Sequence, residues 1–118
     1  MKANEIKSLI LSGALDKYSG IYPDTAKQSQ RFIDAIDSFV ELYGDERDLY
    51  ILSVPGRSEI LGNHTDHNRG AVLAGAIDRD IIAIAAKNEL GRVNLKSEGY
   101  EASVVELSDV DVPSAFKN

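Results

Sequence analysis

A change of hydrophobic period at Gly44 divides this chain into a helical and a strand-forming part. Before it, Phe32, Ile33, Ile36, Phe39, Val40 and Tyr43 fall at i, i+1, i+4, i+7, i+8 and i+11, one stripe on a 3.6-residue period. That spacing predicts a helix over 24–43, with Pro23-Asp24 suited to its start and Gly44 to a left-handed C-terminal cap. A shorter helix is expected over 4–15 from Ile6, Leu9 and Ile10, although Gly13 interrupts the stripe. After Gly44, Leu49-Tyr50-Ile51-Leu52-Ser53-Val54 reads as a buried strand stopped by Pro55-Gly56, and 71–77 and 80–87 read as two further strands. Apolar residues then alternate with polar ones over 92–96 and, less regularly, over 101–107, with turns at 88–91 and 97–99. Helices followed by strands predict an α+β fold, with N-terminal helices packed on a mainly antiparallel or mixed sheet.

The 118 residues suffice for one modest domain, and residues 1–118 are read as a single unit without internal repeats or a Pro/Gly/Ser-rich linker. With 13 basic and 19 acidic residues the net charge is −6, and no Lys/Arg cluster could track a phosphate backbone, so nucleic acid is not expected as a partner. The absence of cysteine excludes a disulfide scaffold, a thiolate metal site and a cysteine nucleophile. No apolar run approaches the roughly 20 residues that span a bilayer, so no membrane anchor is expected. The start carries Glu5 early and lacks an apolar stretch followed by a small-residue cleavage site, which points to a cytoplasmic protein. Residues 109–118 show no helical pattern and read as cut.

The chemistry is concentrated in Pro55-Gly56-Arg57-Ser58-Glu59-Ile60-Leu61-Gly62-Asn63-His64-Thr65-Asp66-His67-Asn68-Arg69-Gly70. This polar segment interrupts the most hydrophobic part of the chain, and its three glycines allow turns or close approach of a ligand. Three readings of the residues stand side by side. His64-x-x-His67 with Asp66 offers imidazole and carboxylate ligands to a metal, but no third fixed ligand is evident. Asn63, Thr65 and Asp66 could instead satisfy a polar turn. In the third reading the loop binds a polyol: Asp66 accepts hydroxyl protons, His64 and Asn63 supply donors and acceptors, and Arg57 adds a fixed positive charge. Elsewhere, Asp45-Glu46-x-Asp48 reads as a solvated connection, and Tyr18 and Tyr22 as packing around the approach to the main helix.

Gly56-Arg57-x-x-Ile60-Leu61-Gly62-x-His64-Thr65-Asp66-x-Asn68-x-Gly70-x-Val72-Leu73 resembles the signature of the galactokinases, a branch of the GHMP small-molecule kinases. The resemblance covers roughly residues 30–107, and the first 25 or so are only weakly placed by it. It implies the N-terminal part of a GHMP kinase, with a fold like ribosomal protein S5 domain 2, and phosphorylation of galactose at its anomeric hydroxyl by Mg-ATP. Carried over by position, His64 and Asp66 match residues that hold sugar hydroxyls, and Asn63 stands where the family has a sugar-binding glutamate. Arg57 matches the arginine beside the reacting hydroxyl, where it would neutralise charge on the transferring phosphoryl and lower the pKa of a neighbouring base.

The departures carry information of their own. The family usually has glutamate at 63, asparagine at 59 and tyrosine at 67, where this chain has Asn63, Glu59 and His67. Hydrogen bonds to charged groups contribute about 1.5 to 3 kcal/mol against about 1 for neutral ones, so Asn63 is expected to shift affinity or hydroxyl preference. Glu59 is expected to be solvated or structural, and His67 to pack or hydrogen-bond locally. No Gly/Ser-rich phosphate loop or Walker string occurs in the sequence, and the family's aspartate base falls on a later segment. The chain by itself is therefore expected to be inactive, to leave most of Mg-ATP binding to other parts, and to self-associate through exposed apolar edges. A kinase for another sugar and a non-catalytic galactose sensor are the rival readings.

Overall fold

The computed structural model describes residues 1–62 and 70–109. The fold is α+β: α1 (Ala3–Leu11) and α2 (Thr25–Tyr43) precede β1 (Leu49–Leu61), β2 (Leu73–Ala86), β3 (Arg92–Leu95) and β4 (Ser103–Glu106). Two compact units divide the chain, Met1–Ala86 and Lys87–Asn118. The first holds both helices and the antiparallel β1–β2 ribbon; the second is built on the antiparallel β3–β4 pair, with Arg92 opposite Glu106.

In the first unit, α2 begins where the side chain of Asp24 accepts the Lys27 amide at 2.9 Å, an N-cap that satisfies one of the unpaired donors of the first turn. It ends at Gly44, whose φ of 81° and ψ of 173° lie in a region essentially reserved for glycine rather than in the ordinary left-handed cap. α1 stops at Leu11, short of the expected 15, because Gly13 takes φ 92° and turns the chain away. Ala3 and Ile10 of α1, Phe32 and Ile36 of α2 and Leu49 of β1 form the buried core, and Ile6, Ile33, Ile51, Ile82 and Ile84 pack against it. The Met1 carbonyl accepts the Leu49 amide at 2.9 Å and the Met1 ammonium lies 3.0 Å from Asp48, so the start of α1 is tied to the start of β1. Residues 45–48 are all exposed, as expected of a solvated connection, and Asp48 pairs with the Met1 ammonium while remaining open to solvent.

The strands run longer than their apolar patterns. β1 does not stop at Pro55-Gly56 but continues to Leu61, and the two strands expected at 71–77 and 80–87 are one strand that passes through Asp78-Arg79-Asp80. The irregularity is absorbed as a bulge: Pro55 pairs with Asp80 and Arg57 with Ala76, so Gly56 alone faces residues 77–79. Proline is tolerated there because the ladder is already interrupted. A side chain at Gly56 would put its first carbon 3.1 Å from Ile77 Cδ1, closer than ordinary packing allows.

The ribbon has one covered face. Leu49, Ile51, Ile82, Ile84 and Ala86 pack with the helices, while the alternate rungs Tyr50–Ala85, Leu52–Ala83 and Val54–Ile81 point the other way. Tyr50, Leu52, Val54 and Ile81 are all exposed, Ile81 to 77%. In the second unit, the Asn88 side chain holds the turn before β3 by accepting the Leu90 amide at 2.9 Å and donating to the Arg92 carbonyl at 3.2 Å.

Candidate functional site

The signature segment opens on the far half of β1. Beyond the bulge, Arg57, Ser58 and Glu59 pair with Ala76, Gly75 and Ala74, and Leu61 with Leu73. Residues 57–61 of this arm are exposed, Arg57 to 75% of its side chain. Arg57 and Glu59 lie two residues apart on one face of the strand, with Nη2 of Arg57 3.8 Å from Oε1 of Glu59. Glu59 is therefore a loose partner of the arginine. A cavity of about 400 Å³ is lined by Glu59, Ile60, Leu61 and Gly62 at the end of the arm.

At Gly62 the backbone takes φ 87°, and a side chain would bring its first carbon 2.4 Å from the Ala71 carbonyl oxygen. Only glycine fits where the two strands separate. Asn63, His64, Asp66 and His67 come after this point and lie outside the described residues. Of the expected site residues Arg57, Asn63, His64 and Asp66, only Arg57 falls within the described residues. Among the described residues, no group of three or more His, Asp or Glu is arranged to hold a metal ion.

A second polar cluster was not anticipated. The Asp80 carboxylate accepts from Ser53 Oγ at 2.6 Å, from the Tyr22 hydroxyl at 2.7 Å and from Arg31 Nη1 at 2.6 Å. Arg31 Nη2 donates to the Asp80 carbonyl at 2.9 Å, so the guanidinium grips both side chain and backbone. The Asp80 side chain is only 11% exposed. Burial pushes its pKa up, but the hydrogen bonds from Ser53, Tyr22 and Arg31 and the Arg31 charge together bring it down to about 2. The Tyr22 hydroxyl is held above its ordinary pKa: the Ser53 contact lowers it, and burial with the Asp80 carboxylate outweighs that. Its ring also packs edge-on to Phe32 at 6.2 Å, so the packing role expected for Tyr22 holds beside a polar one. The sequence signal for this cluster is an aspartate inside an apolar run, which reads as a separator between strands.

A cavity of about 530 Å³ opens on the helix side of the ribbon, with Ile10, Phe32 and Ile51 in its wall and Tyr22, Ser53 and Asp80 among its polar groups. Arg57 does not line it. The two cavities share no lining residue, and the smaller is the one at the Gly62 end of the arm.

The described part of the polar segment is thus an exposed arginine on a strand arm that ends at Gly62. The family model for the galactokinase galactose-binding signature matches residues 37–87, from the last two turns of α2 through β2. Over 74 residues the chain is 32% identical to the galactokinase of Halalkalibacterium halodurans, covering 61% of this chain and 19% of that protein. Over 76 residues it is 34% identical to the galactokinase of Streptomyces coelicolor, covering 64% and 19%. The galactokinase of Bos taurus is 35% identical over 65 residues, 55% of this chain and 16% of that protein. The chain thus carries the galactokinase galactose-binding signature and resembles galactokinases over that stretch, while spanning about a fifth of the length of the curated relatives it matches. No solved structure matches the chain significantly.

Proposed function

We propose that this chain is the N-terminal, sugar-recognising part of a longer, cytoplasmic galactokinase-type kinase of the GHMP group, with the ribosomal protein S5 domain 2-like fold of that group. The observation that supports it is the signature match laid over the β1–β2 ribbon, which leaves Arg57 open to solvent at the start of the polar segment. The intact protein transfers the γ-phosphoryl of ATP to the anomeric oxygen of galactose: the O–P bond to the sugar forms as the bond to ADP breaks. The hydroxyl proton goes to a base supplied by another segment. Arg57 offsets negative charge on the transferring group, and His64 and Asp66, with Asn63, hold sugar hydroxyls.

Mg-ATP is the phosphoryl donor in this proposal. Among the described residues no group of three or more His, Asp or Glu could hold a metal ion, and the sequence has no phosphate-cradling glycine loop, so most of Mg-ATP binding is assigned to other parts of the kinase. The chain alone is inactive and self-associates through the uncovered ribbon face.

The test is ADP release by the intact gene product with galactose and a panel of related sugars. Turnover that favours galactose and collapses in Arg57→Ala and in Asp66→Ala supports the assignment. Galactose ranking last, or binding without phosphorylation, overturns it.

A further inference from the structure

We propose that Asp80 is a positioning residue for Arg57, locking the last helix-covered rung of the ribbon so that the arm beyond it leaves in one register. The proposal rests on the galactokinase-type reading for the role of Arg57, but its structural content does not.

Four parts of the first unit meet at this carboxylate: Tyr22 ahead of α2, Arg31 on α2, Ser53 on β1 and Asp80 on β2. Asp80 pairs with Pro55, and the bulge begins at the next residue of β1. At the bulge one residue opposes three, so the ladder itself does not carry the register across. Beyond it, Arg57, Ser58 and Glu59 face only Ala76, Gly75 and Ala74, small residues with little to interlock. Register is weakly specified where side chains are small and neither face is buried. The nearest strong constraint on Arg57 is therefore the charged rung two residues back. The Arg31 fork fixes both the side chain and the carbonyl of Asp80, which restrains the strand and not merely the side chain. The hydrogen bonds of Asp80 go to Ser53, Tyr22 and Arg31 and not to Arg57, so Asp80 acts on the arginine through the backbone.

The experiment is a double-mutant cycle in the intact gene product, read as kcat/KM for galactose. A small misplacement of a catalytic group can cost up to about 10²-fold in rate, and Asp80→Ala is expected to lose about tenfold or more. In an Arg57→Ala background the same change should cost less than about twofold, because groups that act as a unit are not additive. Asp80→Asn, which keeps the shape and part of the hydrogen bonding, should fall between wild type and Asp80→Ala, and it carries the cycle if Asp80→Ala does not fold. Hydrogen exchange of residues 53–59 reads the positioning independently of turnover and should quicken in both variants. Equal losses in the two backgrounds, or unchanged exchange, overturns the proposal. If wild type phosphorylates no sugar, the galactokinase-type reading fails while the exchange result still decides whether Asp80 restrains the arm.

Discussion

At the scale of single residues, the decisive group is Asp80. Its pKa in the fold, about 2, lies below the ordinary 3.8, so the ionised carboxylate is the form the fold prefers. The stability it contributes is fully present above pH 3.8 and is lost as pH falls through about 2. The linkage between the two values corresponds to about 2 kcal/mol for a group so little exposed. Denaturant titrations between pH 5 and pH 2 should show a drop over that window, and Asp80→Asn should flatten it while being less stable than wild type at pH 7. Residues with strong steric demands were partly readable in advance: Gly44 was expected in a left-handed cap and takes a positive φ but an extended ψ of 173°, and Gly62 sits at a positive φ within the glycine-containing segment. Asp80 was not readable, because a carboxylate in an apolar run acquires meaning only when Arg31, 49 residues away, is brought to it.

At the scale of elements, α2 was legible because its stripe is dense and its caps are local. The buried face it predicts is present, with Phe32 and Ile36 in the core. Ile36 is fully buried, so Ile36→Ala should lower stability by about 2 to 5 kcal/mol through lost contacts and the cavity left behind. Ile81→Ala, on the open face of the ribbon, should change it by no more than about 0.5 kcal/mol. Urea denaturation of the two variants side by side checks both. The strands were placed correctly in kind and wrongly in extent. Pro55-Gly56 and Asp78-Arg79-Asp80 look like breaks when each strand is read alone. They lie opposite one another in the ribbon, so a single bulge accommodates both. Polar residues need not end a strand when partners from elsewhere satisfy them, as Ser53, Tyr22 and Arg31 do for Asp80.

At the scale of the whole molecule, the β1–β2 ribbon has helices on one face and exposed Tyr50, Leu52, Val54 and Ile81 on the other. A contiguous apolar face of this kind, free of charge, favours association with a second copy when the chain is alone in solution. Sedimentation of the 118-residue chain should show concentration-dependent dimers or larger species, reduced by Leu52→Glu or Val54→Glu. A strict monomer at high concentration overturns that expectation. No helix among the described residues is long and apolar enough to cross a membrane.

By itself the sequence determined the α+β class, the course of α2, the strand character of the chain beyond Gly44 and the resemblance to galactokinases, because periodicity, caps and a gapped motif are properties of neighbours along the chain. The tertiary structure alone decided that the expected strand breaks reduce to one bulged ribbon, that Arg57 stands open on its arm with Glu59 as a loose partner, and that Asp80 joins helix to sheet. Those depend on pairing and on the meeting of residues far apart in sequence, where the energy of a polar group is set by which partners arrive and not by the residues beside it.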